Sequence, residues 1–113
     1  MVEINIQAES DYQLIEVRGE VDASSSIELD NALKSAAENY TKILINLSKL
    51  EYISSAGLGV FISYLEELKT NDIKLVIFGL QEKVREVFDI LGLQHLMNIT
   101  NNKEEAQALL NGK

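Results

Sequence analysis

Tyr52-Ile53-Ser54-Ser55-Ala56-Gly57-Leu58-Gly59-Val60-Phe61 decides how the chain is organised. A β-rich region ends here, and an apolar stripe at helical spacing begins: Leu58, Phe61, Ile62, Leu65 and Leu68. A strand region therefore hands over to an amphipathic helix. Each glycine near the start of that helix costs about 1 kcal/mol against alanine, so their presence implies a close approach to the backbone. Ser54 and Ser55 set two hydroxyls at a helix mouth, where amide N–H groups lack intrahelical partners and the dipole end is positive. This chemistry suits a phosphate. Serine at that position also serves simply as an N-cap, and the two roles are compatible.

Outward from this stretch, strands alternate with helices. Upstream, Ile43 to Leu47 is an unbroken β-rich run with the character of a central strand covered on both faces. Before it, Leu29, Ala32, Leu33, Ala36, Ala37 and Tyr40 form a helical stripe, and Ser25 with Glu28 has capping-box spacing at its start. Val2, Ile4 and Ile6 alternate with polar residues as in a half-buried strand. A second strand spans Tyr12 to Val17 and ends at Gly19. The short connection makes this first pair antiparallel.

Downstream, Lys74 to Phe78 is another buried strand. Val84, Val87, Phe88 and Leu91 give a third stripe, with Gly92 as its C-cap. Leu96 to Ile99 reads as a short last strand, and Ala106, Leu109 and Leu110 mark a terminal helix. The order ββαβαβαβα predicts an α/β fold, a small mixed β-sheet with packed helices. Nothing divides residues 1–113, so one domain is expected.

Composition narrows the function. Eighteen acidic against ten basic residues give a formal net charge of −8, which opposes nucleic-acid or anionic-membrane binding. No apolar window is long enough to span a bilayer. Glu3 and Asn5 interrupt any signal-peptide pattern, so a cytoplasmic protein is expected. The chain has no cysteine, and no metal ligands stand at convincing spacing; no cofactor is implied. Glu66-Glu67 and Glu104-Glu105 read as solvated surface.

Enzymatic motifs fail in turn. The one histidine, His95, is remote in sequence from the serines, and a nucleophilic serine needs a placed base. Ser54-Ser55-Ala56-Gly57-Leu58 does not match a G-x-S-x-G elbow. No phosphate-binding G-x-x-x-x-G-K-[ST] loop occurs, and Ile62 breaks a G-x-G-x-x-G fingerprint. Glu20 and Asp22 read as turn and cap residues. No free apolar stripe is sustained along the chain, so a monomer is expected in the free state.

Three landmarks carry a resemblance over nearly the whole chain. The first is Val17-Arg18-Gly19-Glu20-Val21-Asp22 followed by Ser25. The second is Ile45-Asn46-Leu47-Ser48 followed by Tyr52 to Gly59. The third is Val84-Arg85-Glu86-Val87-Phe88 followed by Leu91-Gly92-Leu93. Together they resemble the STAS domain of single-domain bacterial anti-sigma factor antagonists.

The resemblance implies a binding module and not an enzyme. In that family the unphosphorylated antagonist binds an anti-sigma factor serine kinase and frees a sigma factor. Phosphorylation at the start of the helix ends the interaction, and a PP2C-type phosphatase resets it. Registering on Gly57-Leu58-Gly59 puts Ser55 at the acceptor position, with Ser54 as a competing acceptor. The same resemblance assigns partner contact to Gly19, Glu20, Asp22, Ser25, Ser54, Ser55, Ala56, Gly57 and Leu58. Ser54 stands where members often carry Asp, and Asn46-Leu47-Ser48 where they often carry Asp-Leu-Ser, so this site is less acidic than the family pattern. A different use of the same helix mouth, as a scaffold or a nucleotide- or anion-binding module, is the alternative.

Overall fold

The computed structural model describes residues 2–112. Strands β1 (Val2–Ala8) and β2 (Gln13–Val21) form an antiparallel pair and are followed by α1 (Ser26–Asn39). Next come β3 (Lys42–Asn46), β4 (Leu50–Ile53), α2 (Ser55–Thr70), β5 (Lys74–Phe78) and α3 (Glu82–Ile90). A 3-10 turn (Leu93–His95), β6 (Asn98–Thr100) and α4 (Lys103–Leu110) complete the chain. The sheet runs β1-β2-β3-β5-β6, parallel except for the first pair. The expected mixed sheet with four packed helices is what the chain forms, with one short strand, β4, added to the alternation.

Side-chain alternation distributes the core. Ile43 and Ile45 of β3 face α1, α2 and α3, together with Ile15, Val17, Leu75 and Ile77. Leu44, Val76 and Phe78 point the other way, onto Ala106 and Leu110 of α4. The central strands are thus covered on both faces, as their unbroken apolar runs imply. Phe61 and Phe88 join α2 to α3 with ring centroids 6.1 Å apart.

The structure corrects several sequence expectations. Gly19 does not end β2. Its φ of +88° permits a register shift between Gly19 and Glu20, and the strand continues by exchanging neighbours: Gln13 to Glu16 pair with β3, and Gly19 to Val21 with β4. Tyr12 precedes the strand and accepts a hydrogen bond at its hydroxyl from Gln107 Nε2 (3.0 Å). On α2 the buried face includes Tyr64 in place of Ile62, which is 44% exposed. The Tyr64 hydroxyl reaches the Asp30 carbonyl of α1 (3.2 Å), and burial helps push its pKa up to about 12. Leu91 lies beyond the end of α3 and is exposed. Gly92 turns the chain there with φ +71°. The last strand starts at Asn98, leaving Leu96 exposed in the preceding turn.

Candidate functional site

The neighbour exchange along β2 builds the site. Gly19 N–H donates to the Lys49 carbonyl (2.9 Å). Glu20 then stands opposite Tyr52, and Val21 opposite Ile53. Ser54 N–H donates back to the Val21 carbonyl (2.8 Å). Helix α2 therefore opens beside the segment leaving β2, and residues 20–25 lie next to the helix mouth although about 30 positions separate them in sequence.

The two serines divide the labour. Ser54 is the N-cap, with extended backbone (φ −82°, ψ 171°), and its Oγ accepts from Gly57 N–H (3.2 Å). Its carbonyl accepts from Leu58 N–H (3.0 Å). Ser55 is the first helical residue and is exposed. Its hydroxyl makes no hydrogen bond among the described residues, and neither do the N–H groups of Ser55 and Ala56. A helix mouth with two unpartnered N–H groups favours added negative charge by about 0.3–1 kcal/mol. Replacing the cap, Ser54→Ala, should cost about 1 kcal/mol in a thermal melt while leaving the Ser55 hydroxyl free.

The preceding turn is locked by reciprocal hydrogen bonds. Asp22 Oδ1 accepts from Ser25 N–H, Ser25 Oγ and Ser24 Oγ, each at 2.9 Å. Ser25 Oγ accepts in return from Asp22 N–H (2.9 Å), and Ser26 N–H donates to the Asp22 carbonyl (3.0 Å). This is a capping box, but it joins Asp22 to Ser25, one turn before the Ser25–Glu28 pair that spacing suggested. Ser25 is already helical in backbone and makes no cap bond to the helix behind it.

The bonds from Ser25, backbone N–H first and then hydroxyl, and from Ser24 hold the Asp22 carboxyl down at about pKa 2. A lowered carboxylate pKa means that the stabilisation from this turn is complete above the ordinary value of 3.8 and disappears as pH falls through about 2. Carbon-detected NMR titration of Asp22 should give a midpoint near 2, and Ser25→Ala, which removes the hydroxyl but keeps the backbone N–H, should move it part of the way up toward 3.8.

The remaining candidates separate by exposure. Glu20, Asp22, Ser55 and Ala56 are exposed; Gly19 and Ser54 are half-buried. Ser25, Gly57 and Leu58 are buried and serve the frame of the site. At Gly57, a Cβ would lie 2.7 Å from Val21 Cγ1 and 2.8 Å from Ile53 Cγ1, so the close approach that the glycine permits comes from the protein's own core. Gly59 differs: a Cβ there meets nothing within 4 Å, and the residue is exposed. It falls one helical turn after Ser55 on the same face.

Tyr52, half-exposed at 51% and opposite Glu20, also belongs to this surface, although sequence reading gave it no role. No sequence pattern marks it: Leu50 and Ile53 are buried on either side of an exposed pair, and that becomes visible only once the strand has formed. His95 is exposed on the 3-10 turn and makes no hydrogen bond to either serine. A cavity of about 580 Å³ lies by the opposite end of α2, lined by Leu65, Lys69, Asp72, Leu96 and Met97 among others. Among the described residues, no helix is long and apolar enough to cross a membrane.

Comparison with known proteins agrees with this geometry. The STAS domain family model matches residues 3–106. An anti-sigma-B factor antagonist of Staphylococcus epidermidis is 35% identical over 95 residues, covering 83% of this chain and 88% of that one. The fold is shared with an anti-sigma factor antagonist from Mycobacterium paratuberculosis (TM-score 0.89, 18% identity, 98% of this chain and 95% of that one). It is shared too with SpoIIAA, solved unphosphorylated (TM-score 0.80, 22% identity, 98% of each chain). The phosphorylated Bacillus form superimposes with a TM-score of 0.72 (19% identity, 95% of this chain and 99% of that one). From the matched residues and the shared architecture, the chain belongs to the STAS-domain family, where its relatives are anti-sigma factor antagonists.

Proposed function

We propose that this chain is the switchable member of a partner-switching system. Unphosphorylated, it binds an anti-sigma factor serine kinase in the cytoplasm and so frees a sigma factor. The kinase transfers phosphate to Ser55, the complex separates, and a PP2C-type phosphatase restores the binding form. The observation that carries this reading is the exposed, unpartnered Ser55 hydroxyl on the first residue of α2, next to a serine already used as the cap. The names of the relatives, and the existence of SpoIIAA in two phosphorylation states, support it.

The partner surface is the exposed rim around that hydroxyl: Glu20, Asp22, Tyr52, Ala56 and Gly59, on a frame of Gly19, Ser25, Ser54, Gly57 and Leu58. Phosphate adds about −1.5 to −2 charges. Its effect falls on the partner through bulk, charge and repulsion within a rim that already carries Glu20 and Asp22. The test is calorimetric titration of the unphosphorylated chain with the anti-sigma serine kinase of its own organism. Saturable one-to-one binding is expected. Absence of binding to the kinase, with specific nucleotide binding to the chain alone, would replace this reading with the anion-site alternative.

A further inference from the structure

The free edge of the sheet is the surface that the switch does not use. Strand β1 pairs with β2 at all seven positions without a bulge, while the opposite edge, β6, has three residues. No other described segment hydrogen-bonds to the β1 backbone, so alternate N–H and C=O groups along it face outward. Edge strands are ordinarily blunted by proline, lysine, bulges or shortness. None of these occurs in Val2–Ala8, whose one charge is Glu3, 3.9 Å from Arg18.

The sequence of β1 is complementary to itself. A two-fold axis at Asn5 sets Val2 opposite Ala8, Glu3 opposite Gln7 and Ile4 opposite Ile6. Apolar residues then meet on the face shared with α1, and polar residues meet on the other. Ile6, 49% exposed, would be covered by Ile4 of the second copy. Centring on Ile4 or Ile6 pairs only five residues of each strand, and centring on Glu3 opposes like charges. The Asn5 register alone uses the whole strand.

We propose that two copies of this chain associate through β1, antiparallel about Asn5, to form one continuous sheet across both molecules. This goes beyond the monomer that the absence of an apolar stripe suggested, because main-chain pairing needs no such stripe. Val2 lies opposite Gly19, beside the residue 20–25 turn. The two-fold axis therefore sends the two switch sites to opposite ends of the dimer, where both stay open. With a net charge of −8 on each copy, added salt strengthens the association.

Sedimentation velocity of the full chain, up to about 1 mM at the weak end of specific affinity, tests the proposal. The mass should rise from 12.6 kDa toward twice that value. Gln7→Lys, which faces Glu3 twice in the dimer, should tighten association. Gln7→Glu should weaken it, separating the two midpoints by about tenfold. Ile6→Lys should hold the chain monomeric. Gln7 is exposed, so melting curves of its two variants should match the parent, and this pair decides the matter even if Ile6→Lys perturbs the fold. A mass of 12.6 kDa at every concentration, or a dimer indifferent to the Gln7 charge, overturns the proposal.

Discussion

Phosphorylated chain, compared with unphosphorylated chain, should bind the kinase more than tenfold more weakly and melt within a few degrees of it. The two halves of this expectation have separate causes. A tenfold loss is about 1.4 kcal/mol, a modest demand for a dianion placed in a tight interface beside Glu20 and Asp22. For the fold itself, the charge sits at the N-terminus of α2 next to two unpartnered N–H groups, which favour it. Repulsion from the acidic remainder of the chain is screened beyond about 8–10 Å at physiological salt, so the local attraction wins or balances. About 1 kcal/mol moves the melting point of a domain this size by about 4–8 °C, which sets the scale of the permitted change. Calorimetric titration and a thermal melt on the same two samples read both quantities. A drop of tens of degrees with loss of helical circular dichroism would mean that phosphate acts by unfolding α2.

The two glycines of α2 should respond to alanine with opposite signs. Gly57→Ala gains helix propensity of about 1 kcal/mol, but its Cβ would overlap Val21 Cγ1 and Ile53 Cγ1, both on stiff branched side chains. Overpacking of this kind costs about 1–3 kcal/mol and more where the neighbours cannot turn away. The net result should be a lower melting point, by on the order of 10 °C for the larger costs. Gly59→Ala has open space and should raise the melting point by a few degrees. If Gly59 leaves room for the partner beside Ser55, then Gly59→Gln should keep the chain folded while lowering kinase affinity about tenfold. Equal destabilisation by the two alanine variants would remove the distinction between frame and contact surface.

Where the sequence was legible, one physical signal dominated locally. The β-rich runs Ile43–Leu47 and Lys74–Phe78 read as central strands and form β3 and β5, and the stripe after Gly57 gave α2. The Ser-Ser-Ala-Gly stretch gave the helix mouth, with Ser55 exposed at its first position. What was hidden depended on partners far along the chain. Leu50–Ile53 does not alternate, with buried ends and an exposed middle, and becomes a strand because Gly19–Val21 is there to pair with it. Gly19 reads as a terminator, yet its positive φ lets β2 change neighbours and carry the 20–25 turn to α2.

Ser25 and Gly57 show the same limit on the scale of single atoms. Ser25 has cap spacing to Glu28, but the hydrogen bonds it makes run backwards to Asp22, a competition that spacing alone cannot rank. Gly57 correctly signals close approach, and only the packed structure names Val21 and Ile53 as what approaches. Tyr64 takes the place expected of Ile62 because two overlapping stripes fit the same helix; the buried one runs Leu58, Phe61, Tyr64 and Leu68, and the Tyr64 hydroxyl donates to the Asp30 carbonyl from it.

The central claim is that Ser55, and not the capping Ser54, receives the phosphate. Incubation of the chain with its anti-sigma serine kinase and ATP, followed by fragmentation mass spectrometry, tests it most directly. One phosphate per chain should map to Ser55, and Ser55→Ala should take up none while still binding the kinase. Phosphate on Ser54, with Ser55→Ala modified as readily as the parent, would contradict the account.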